Sequence, residues 1–162
     1  MATSDRSPSE QVPLRTSQIV VSALIGGVVI FAAVAIALTW QKPPGEPFMA
    51  YFSAVFAVPV VIFGFVFAKV MLPTIRKSLP PEIAADKIRA LYAEYQGAVL
   101  LRNASLEGAA FLNVIAYLTT ALWWSLAVVA VLVAVMIVGF PTSSRFDDWV
   151  RRRSEDAQFE SQ

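Results

Sequence analysis

The 162-residue chain contains neither cysteine nor histidine. Without cysteine there are no disulfides, thiolate ligands or cysteine nucleophiles, and without histidine there are no imidazole ligands or histidine pH switches. Charged residues are also scarce, at 15% of the chain, whereas 57% is hydrophobic. A soluble domain of this length needs more polar surface, so we expect a bilayer to surround much of the protein. We therefore predict that the chain is not an enzyme, carries no metal and no cofactor, and binds no nucleic acid.

Long apolar runs dominate the rest of the sequence. They predict transmembrane helices at about residues 19–40, 48–72, 98–120 and 122–140, because about 20 apolar residues in a helix cross the ~30 Å hydrocarbon core. Residues 104–140 form a nearly continuous run, but as one helix they would extend over about 55 Å. A tight helical hairpin with its turn near residues 119–124 is therefore predicted. The fold class that follows is an all-α integral membrane protein with a four-helix transmembrane bundle over residues 19–140.

Polar segments flank and connect the apolar runs. Residues 1–18 are rich in Ser, Pro and charge and predict a flexible cytoplasmic tail. Residues 80–97 predict an amphipathic cytoplasmic connector helix, with Glu94 on its polar face. No proline separates this connector from the third span, so one long helix that bends near Gly97 is an alternative. Residues 141–162 predict a short C-terminal interfacial helix followed by a cytoplasmic tail.

Basic residues are distributed unevenly between the two ends of the predicted spans. Lys and Arg lie in the N-terminal tail, the connection after the second span and the C-terminal tail, each counted with the adjoining helix ends, and Lys42 is the exception. The positive-inside rule makes those segments cytoplasmic and places both termini inside. A cleavable signal peptide is the alternative for the first run, but that run exceeds the roughly 7–15 residues of an h-region. We predict a multi-pass protein of the cell membrane whose outer loops are too short to form an extracytoplasmic domain.

Residues suited to the membrane interface lie near the ends of the spans, as in aromatic belts and snorkelling basic side chains. The predicted interface anchors are Arg102, Trp40, Trp123, Trp124, Trp149, Arg151, Arg152 and Arg153. Basic residues near an anionic surface are each attracted by about 1 kcal/mol. The basic C-terminal end therefore predicts either an ordinary topology anchor or specific recognition of anionic lipid.

The first span carries a stripe of small residues. Ser22, Gly26, Ala33 and Ala37 recur near helical spacing. Small residues let helix backbones approach closely. The stripe predicts either packing inside this protein's own bundle or homodimerisation.

The third span differs from the others because it carries Arg102, Asn103, Glu107 and Asn113. Arg102 and Glu107 lie about 140° apart round a helix and should not pair with each other. Counting about 20 residues back from Thr120 places Arg102 at the cytoplasmic edge and Glu107 about 8 Å deeper. A lone carboxylate there costs at least ~2–3 kcal/mol. Glu107 is therefore the candidate functional position.

The candidate intramembrane polar site comprises Glu107, Asn103, Lys69, Asn113 and Tyr117. In the structural hypothesis, Glu107 is a buried clamp that fixes helix register through Asn103, Lys69 or backbone groups. In the functional hypothesis, Glu107 binds a proton or a cation, with Asn103, Asn113 and Tyr117 lining the route. Both hypotheses stay open at the level of the sequence.

Small residues beside Glu107, namely Ala104 and Gly108, permit another helix to approach closely. Together with the absence of any extramembrane domain, they favour a non-enzymatic structural, assembly or accessory membrane protein. Its predicted partners are the lipid bilayer and either further copies of the chain or other membrane subunits. The alternative is a proton- or ion-coupled transport component that uses Glu107.

Residues 102–118, RNASLEGAAFLNVIAYL, resemble the third helix of a group of small uncharacterised bacterial four-span membrane proteins. That pattern has an Arg, a core similar to A-L-L-E-G, and I-A-Y-L before a tight hairpin. Ser105 departs from it, since it interrupts the hydrophobic core. The resemblance implies a four-span protein of the bacterial inner membrane and implies no activity.

Overall fold

A computed structural model describes residues 8–77 and 87–159; within them, the side chains at 8–13, 68–69, 71–77, 87–91, 150 and 153–159 lie outside the described part. The described elements are the helices α1 (Pro8–Thr39), α2 (Phe48–Lys77), α3 (Lys87–Thr120), α4 (Trp123–Val138) and α5 (Ser143–Phe159). No strand occurs among the described residues. The prediction of an all-α fold is confirmed for this part of the chain.

Within the described residues, three helices are long and apolar enough to cross a membrane, over Leu14–Thr39, Phe48–Phe67 and Tyr92–Thr120. A fourth span results if Trp123–Val138 and Ser143–Trp149, which meet at 72°, count as one bent crossing. Large apolar side chains are exposed along much of α1, α2 and α4. Water would not support so extensive an exposed apolar surface, whereas lipid would. These features are consistent with a multi-pass membrane protein.

The helix α3 is central, because it packs along α2, α1 and α4, whereas α1 and α2 share no comparable contact with each other. The side chains of Ser105 and Glu107 lie at nearly the same height on α3 and point to nearly opposite sides, because two residues turn a helix by about 200°. Ser105 meets Gly64 of α2, and Glu107 meets Gly27 of α1. At this level α1 and α2 therefore flank α3 on opposite sides.

The main core lies where these helices meet. Its buried members are Val28 and Ala35 of α1, Ala57 of α2, Leu106, Ala109, Ala110, Val114 and Tyr117 of α3, and Val129, Leu132 and Met136 of α4. Helix α3 contributes the most residues because neighbours surround it on three sides. Many of the members are small or β-branched, which lets the helices approach closely.

A second cluster lies at the N-terminal end of α3. The ring of Phe146 in α5 stacks on Tyr92 with 3.9 Å between centroids, and it meets Tyr95 edge to face. Leu14 and Val21 of α1 are buried in the same cluster.

Helix α1 begins at Pro8, before the predicted boundary at Ile19, and residues 8–18 of the predicted flexible tail are helical. The physical reason is that the buried face of α1 continues through Leu14.

The predicted connector and third span form one helix from Lys87 to Thr120, which is continuous through Gly97. Residues 80–86 of the connector lie outside the described part of the chain. Glu94, expected on a wet polar face, has only 1% of its surface exposed. The expectation was wrong because this segment is not an isolated surface helix. It continues the central helix, against which α1 and α5 pack.

The C-terminal end of α3 is closed by the loop between α1 and α2. Lys42 Nζ donates hydrogen bonds to the carbonyl oxygens of Leu118 and Thr119 at 3.0 and 2.9 Å. The backbone N–H of Gly45 donates to the Thr120 carbonyl at 2.7 Å. A cation at a helix C-terminus satisfies free carbonyls and opposes the negative end of the helix dipole. These hydrogen bonds give a structural reason for Lys42 to lie at the opposite end of the helices from the other basic residues.

The small-residue stripe of α1 lies on the outer surface of the bundle. Ser22, Ala33 and Ala37 are exposed, and a Cβ added to Gly26 would meet nothing within 4 Å. The buried face of α1 instead runs through Val21, Val28 and Ala35. Among the described residues, this stripe therefore does not pack inside the chain's own bundle.

Candidate intramembrane site around Glu107

Glu107 lies at the edge of the contact between α3 and α1. Its side chain is half-buried, and its Oε1 is 3.9 Å from the position that a Cβ on Gly27 would occupy. Within the described part of the chain, Glu107 makes no hydrogen bond and no ion pair. By helical rise it lies about 20 Å from the C-terminal end of α3 at Thr120. The carboxyl group therefore lies within an apolar helix long enough to cross a membrane, beside a glycine and without a hydrogen-bond donor from the described residues.

Asn103, one turn before Glu107, has none of its surface exposed. Its side-chain amide donates to the Val99 carbonyl oxygen at 2.8 Å. Its Oδ1 has no hydrogen-bond partner among the described residues. The predicted Asn103–Glu107 hydrogen bond is therefore not formed, because the asparagine amide bonds its own helix backbone.

Lys69, the basic residue proposed as a partner for Glu107, lies on α2. Its side chain is outside the described part of the structure. A pair between Lys69 and Glu107 therefore stays a prediction.

Asn113 joins α3 to α2 and does not face Glu107. Its Oδ1 accepts a hydrogen bond from Ser53 Oγ at 3.1 Å. Its amide nitrogen donates to the Ala109 carbonyl at 2.9 Å, with a longer contact of 3.4 Å to the Ser53 carbonyl. Both side chains are buried. Asn113 and Ser53 thus form the helix-to-helix clamp that the structural hypothesis assigned to Glu107.

Tyr117 belongs to the main core, together with Val114 and Met136. It shares a helical stripe with Glu107 but lies more than two turns closer to the C-terminal end of α3. The structure therefore spreads the predicted site over three surroundings: the α1 edge for Glu107, the α2 contact for Asn113, and the core for Tyr117.

Arg102 is half-buried and turns toward the end of α4. Its Nη2 donates to the carbonyl oxygen of Gly139 at 2.5 Å, and its guanidinium lies over the Phe65 ring of α2 at 5.6 Å. A Cβ on Gly139 would overlap the guanidinium. Arg102 was predicted as an interface anchor; in the structure it links three helices and caps the C-terminus of α4.

The predicted aromatic anchors near the C-terminal end of α3 differ in exposure and in ring contacts. Trp40 and Trp123 are 80% and 75% exposed. Trp124 packs on Tyr51 with 5.2 Å between ring centroids. All three lie near the loops that join α1 to α2 and α3 to α4.

At the opposite end, Trp149 packs against Tyr95 with 5.7 Å between ring centroids. Arg151 and Arg152 are exposed on α5, and the side chain of Arg153 lies outside the described residues. The helix predicted to be interfacial therefore turns its aromatic side chains Phe146 and Trp149 onto α3, where they pack against Tyr92 and Tyr95.

One face of α3 is exposed between α1 and α2, and we call it the α3 groove. Its floor is Ala104, Gly108 and Ile115, all exposed, and Glu107 lies on its α1 side. A Cβ placed on Gly108 would meet nothing within 4 Å. The groove therefore leaves room for a further helix to approach the backbone of α3.

Several residues that hold this arrangement were missed from the sequence. A Cβ on Gly64 would lie 2.5 Å from Ser105 Cβ, so α2 and α3 approach closely there. Gly139 and Ser53 were likewise not singled out. Their signal is weak, because a glycine or serine in an apolar helix does not reveal which side chain will face it.

Among the described residues, no group of three or more His, Cys, Asp or Glu side chains is placed to hold a metal ion. On α3, Arg102 and Asn113 make helix-to-helix hydrogen bonds, Asn103 bonds the backbone of its own helix, and Glu107 lies at the groove. No family model, curated protein or solved structure matches the chain.

Proposed function

We propose that this chain is a non-enzymatic membrane protein of structural, assembly or accessory type, which acts by lateral association with other transmembrane helices. One observation carries the proposal: Glu107 is partly exposed beside an open small-residue surface, whereas Arg102 and Asn113 bond other helices of the bundle. Polar residues inside membranes are kept where they have a partner. A partner for Glu107 on another transmembrane helix that associates with this chain fits that rule.

The proposal includes four spans with both termini in the cytoplasm. The contact between Arg102 and Gly139 supports it, since α4 returns from the outer turn to the level of Arg102. Helix α3 rises about 27 Å between Arg102 and Thr120, close to the thickness of a hydrocarbon core. The short α4 and the bend before α5 would then complete one crossing. A bacterial inner membrane, as the resemblance of residues 102–118 implies, is the proposed location.

Site-specific photo-crosslinking in the native membrane tests the assembly function. A photoreactive amino acid would replace Ile30, Phe52, Ile115 or Val131, which are exposed on four different helices, and Ala110 is the buried control. We expect discrete cross-linked polypeptides from at least one exposed position and none from Ala110. Cross-links to lipid alone at all four positions would contradict an assembly role.

The second candidate is proton- or ion-coupled transport through Glu107. The observation that favours it is the carboxyl group without a described hydrogen-bond or ion-pair partner at membrane depth. Glu107→Gln keeps the shape of the side chain and removes the ionisable proton. If transport is the function, purified protein in liposomes should conduct protons or cations and the variant should not. An absence of flux in the parent protein would reject this candidate.

A further inference from the structure

The α3 groove has the shape of a helix-docking surface. Ala104 and Gly108 are four residues apart and both exposed, so they lie on one line along the groove floor. Pairs of small residues at this spacing let a second helix reach the backbone and gain van der Waals contact over its length. The open space above Gly108 shows that no described side chain of this chain occupies that position.

The chemistry of the groove selects what can occupy it. Glu107 sits on the groove wall at the level of Gly27, about 20 Å from the outer end of α3. A carboxylate at that depth is costly unless a donor or a positive charge faces it. Lipid tails offer neither. A side chain with a positive charge at the same depth is the complement of this surface.

A second copy of the chain does not provide that charge. Residues 19–40, 48–68 and 122–140 contain no Lys and no Arg. Arg102 of α3 already donates to Gly139 inside the bundle. Lys69 follows Gly64 by five residues on α2, which places its backbone about 8 Å nearer the cytoplasmic end than the level of Ser105 and Glu107. A neighbouring copy in the same bilayer keeps these depths.

We infer that the α3 groove binds a transmembrane helix of a different membrane protein, one that carries a Lys or Arg at the depth of Glu107. This inference rests on the proposed assembly function and specifies the chemistry of the partner. The small floor supplies backbone contact, and the pair between Glu107 and the basic residue supplies selectivity, because each charge is costly in lipid without the other.

The experiment uses the full chain in liposomes with a designed single-span Leu–Ala helix as the probe. One version of the probe carries a Lys roughly 13 residues from its outer end, at the depth of Glu107, and the other carries Leu at that position. Energy transfer between labelled protein and labelled probe measures binding. We expect at least tenfold tighter binding of the Lys probe, and Glu107→Gln should remove the difference between the probes.

Two further variants test the location of binding. Gly108→Leu fills the groove floor and should weaken binding of the Lys probe, whereas Ala33→Leu, on the exposed surface of α1, should leave it unchanged. Thermal unfolding of each variant shows whether the bundle is intact. Because these positions are exposed, we expect unfolding temperatures close to that of the parent.

Three results would overturn the inference. The first is equal affinity of the two probes, and the second is a preference for Lys that persists in Glu107→Gln. The third is association of labelled copies of the chain through a contact that Gly108→Leu abolishes, which would place a second copy in the groove. If the groove experiment fails but exposed positions still cross-link to polypeptides in the native membrane, the assembly function stands and uses another face.

Discussion

Three polar side chains of α3 meet the same apolar surroundings in different ways. Asn113 shares hydrogen bonds with Ser53 across the contact with α2. Arg102 reaches the end of α4 and donates to the Gly139 carbonyl. Glu107 has no hydrogen-bond or ion-pair partner within the described chain. Since an unmet polar group in lipid is costly, the first two pairings stabilise the fold and the third position is available for a partner.

The Asn113–Ser53 pair should be measurable as a coupling energy. Asn113→Ala and Ser53→Ala should each lower the free energy of unfolding in detergent, and the double variant should lose less than the sum. We expect a coupling of about 0.5–1.5 kcal/mol, the range for interhelical hydrogen bonds in membranes. Additive losses would show that the two side chains do not act together.

The contact between Arg102 and Gly139 makes a second prediction. Gly139→Ala would place a methyl group against the guanidinium and near the Val135 carbonyl oxygen at 3.1 Å. The overlap should cost about 1–3 kcal/mol of unfolding free energy, as overpacking does. The same substitution should cost less in an Arg102→Met background, because one of the two crowded neighbours is then gone. An equal loss in both backgrounds would contradict the contact.

At the scale of the helix, substitution by alanine should change the stability of the protein differently for glycines on different faces. Gly64→Ala would force α2 away from Ser105 and should destabilise the protein by about 1–3 kcal/mol. Gly26→Ala is the matched control, since its Cβ would meet nothing within 4 Å. That change should be neutral or stabilising by up to about 1 kcal/mol, because alanine is the better helix former. Thermal unfolding of the two variants separates these outcomes.

The contact between the α1–α2 loop and the outer end of α3 makes a further prediction at this scale. Lys42→Met keeps much of the side-chain length but removes the donors to the Leu118 and Thr119 carbonyl oxygens. We expect a loss of about 0.5–1 kcal/mol, small because the ammonium group is exposed to solvent. Amide hydrogen exchange in the last turn of α3 should become faster. Unchanged exchange there would mean that the loop does not close this helix end.

At the scale of the molecule, the distribution of exposed and buried residues accounts for the orientation we propose. The apolar side chains of α1, α2 and α4 form an outer surface suited to lipid. The aromatic cluster of Tyr92, Tyr95 and Phe146 packs α1, α3 and α5 together at the end opposite the short outer loops. Apart from Lys42, the basic residues of the described helices lie toward that same end, which the positive-inside rule assigns to the cytoplasm.

The orientation predicts the accessibility of both termini. Single cysteines added at Ser4 and Ser161 introduce the chain's only thiols, since the sequence contains no cysteine. A membrane-impermeant thiol reagent should label neither in intact cells and both after the membrane is opened. A cysteine at Gly45, in the outer loop, should be labelled in intact cells. Labelling of exactly one terminus from outside would indicate three crossings in place of four.

The sequence by itself determined the helical fold and the positions of the apolar segments, because about 20 apolar residues must hydrogen-bond their own backbone in lipid. It also singled out Glu107, since a charge in such a segment stands out by its cost. Helical phase further predicted that Glu107 would not pair with Arg102, and the structure keeps them apart.

Only the tertiary structure decided which neighbour each polar group has. Helical periodicity gives the direction of a side chain from its own axis, but not which helix lies there. For that reason the sequence did not reveal that Glu94 is buried, that Asn113 meets Ser53, or that the small-residue stripe of α1 faces outward. The same arrangement of neighbours leaves Glu107 beside the open α3 groove. The carboxyl group and the groove together form the proposed docking site.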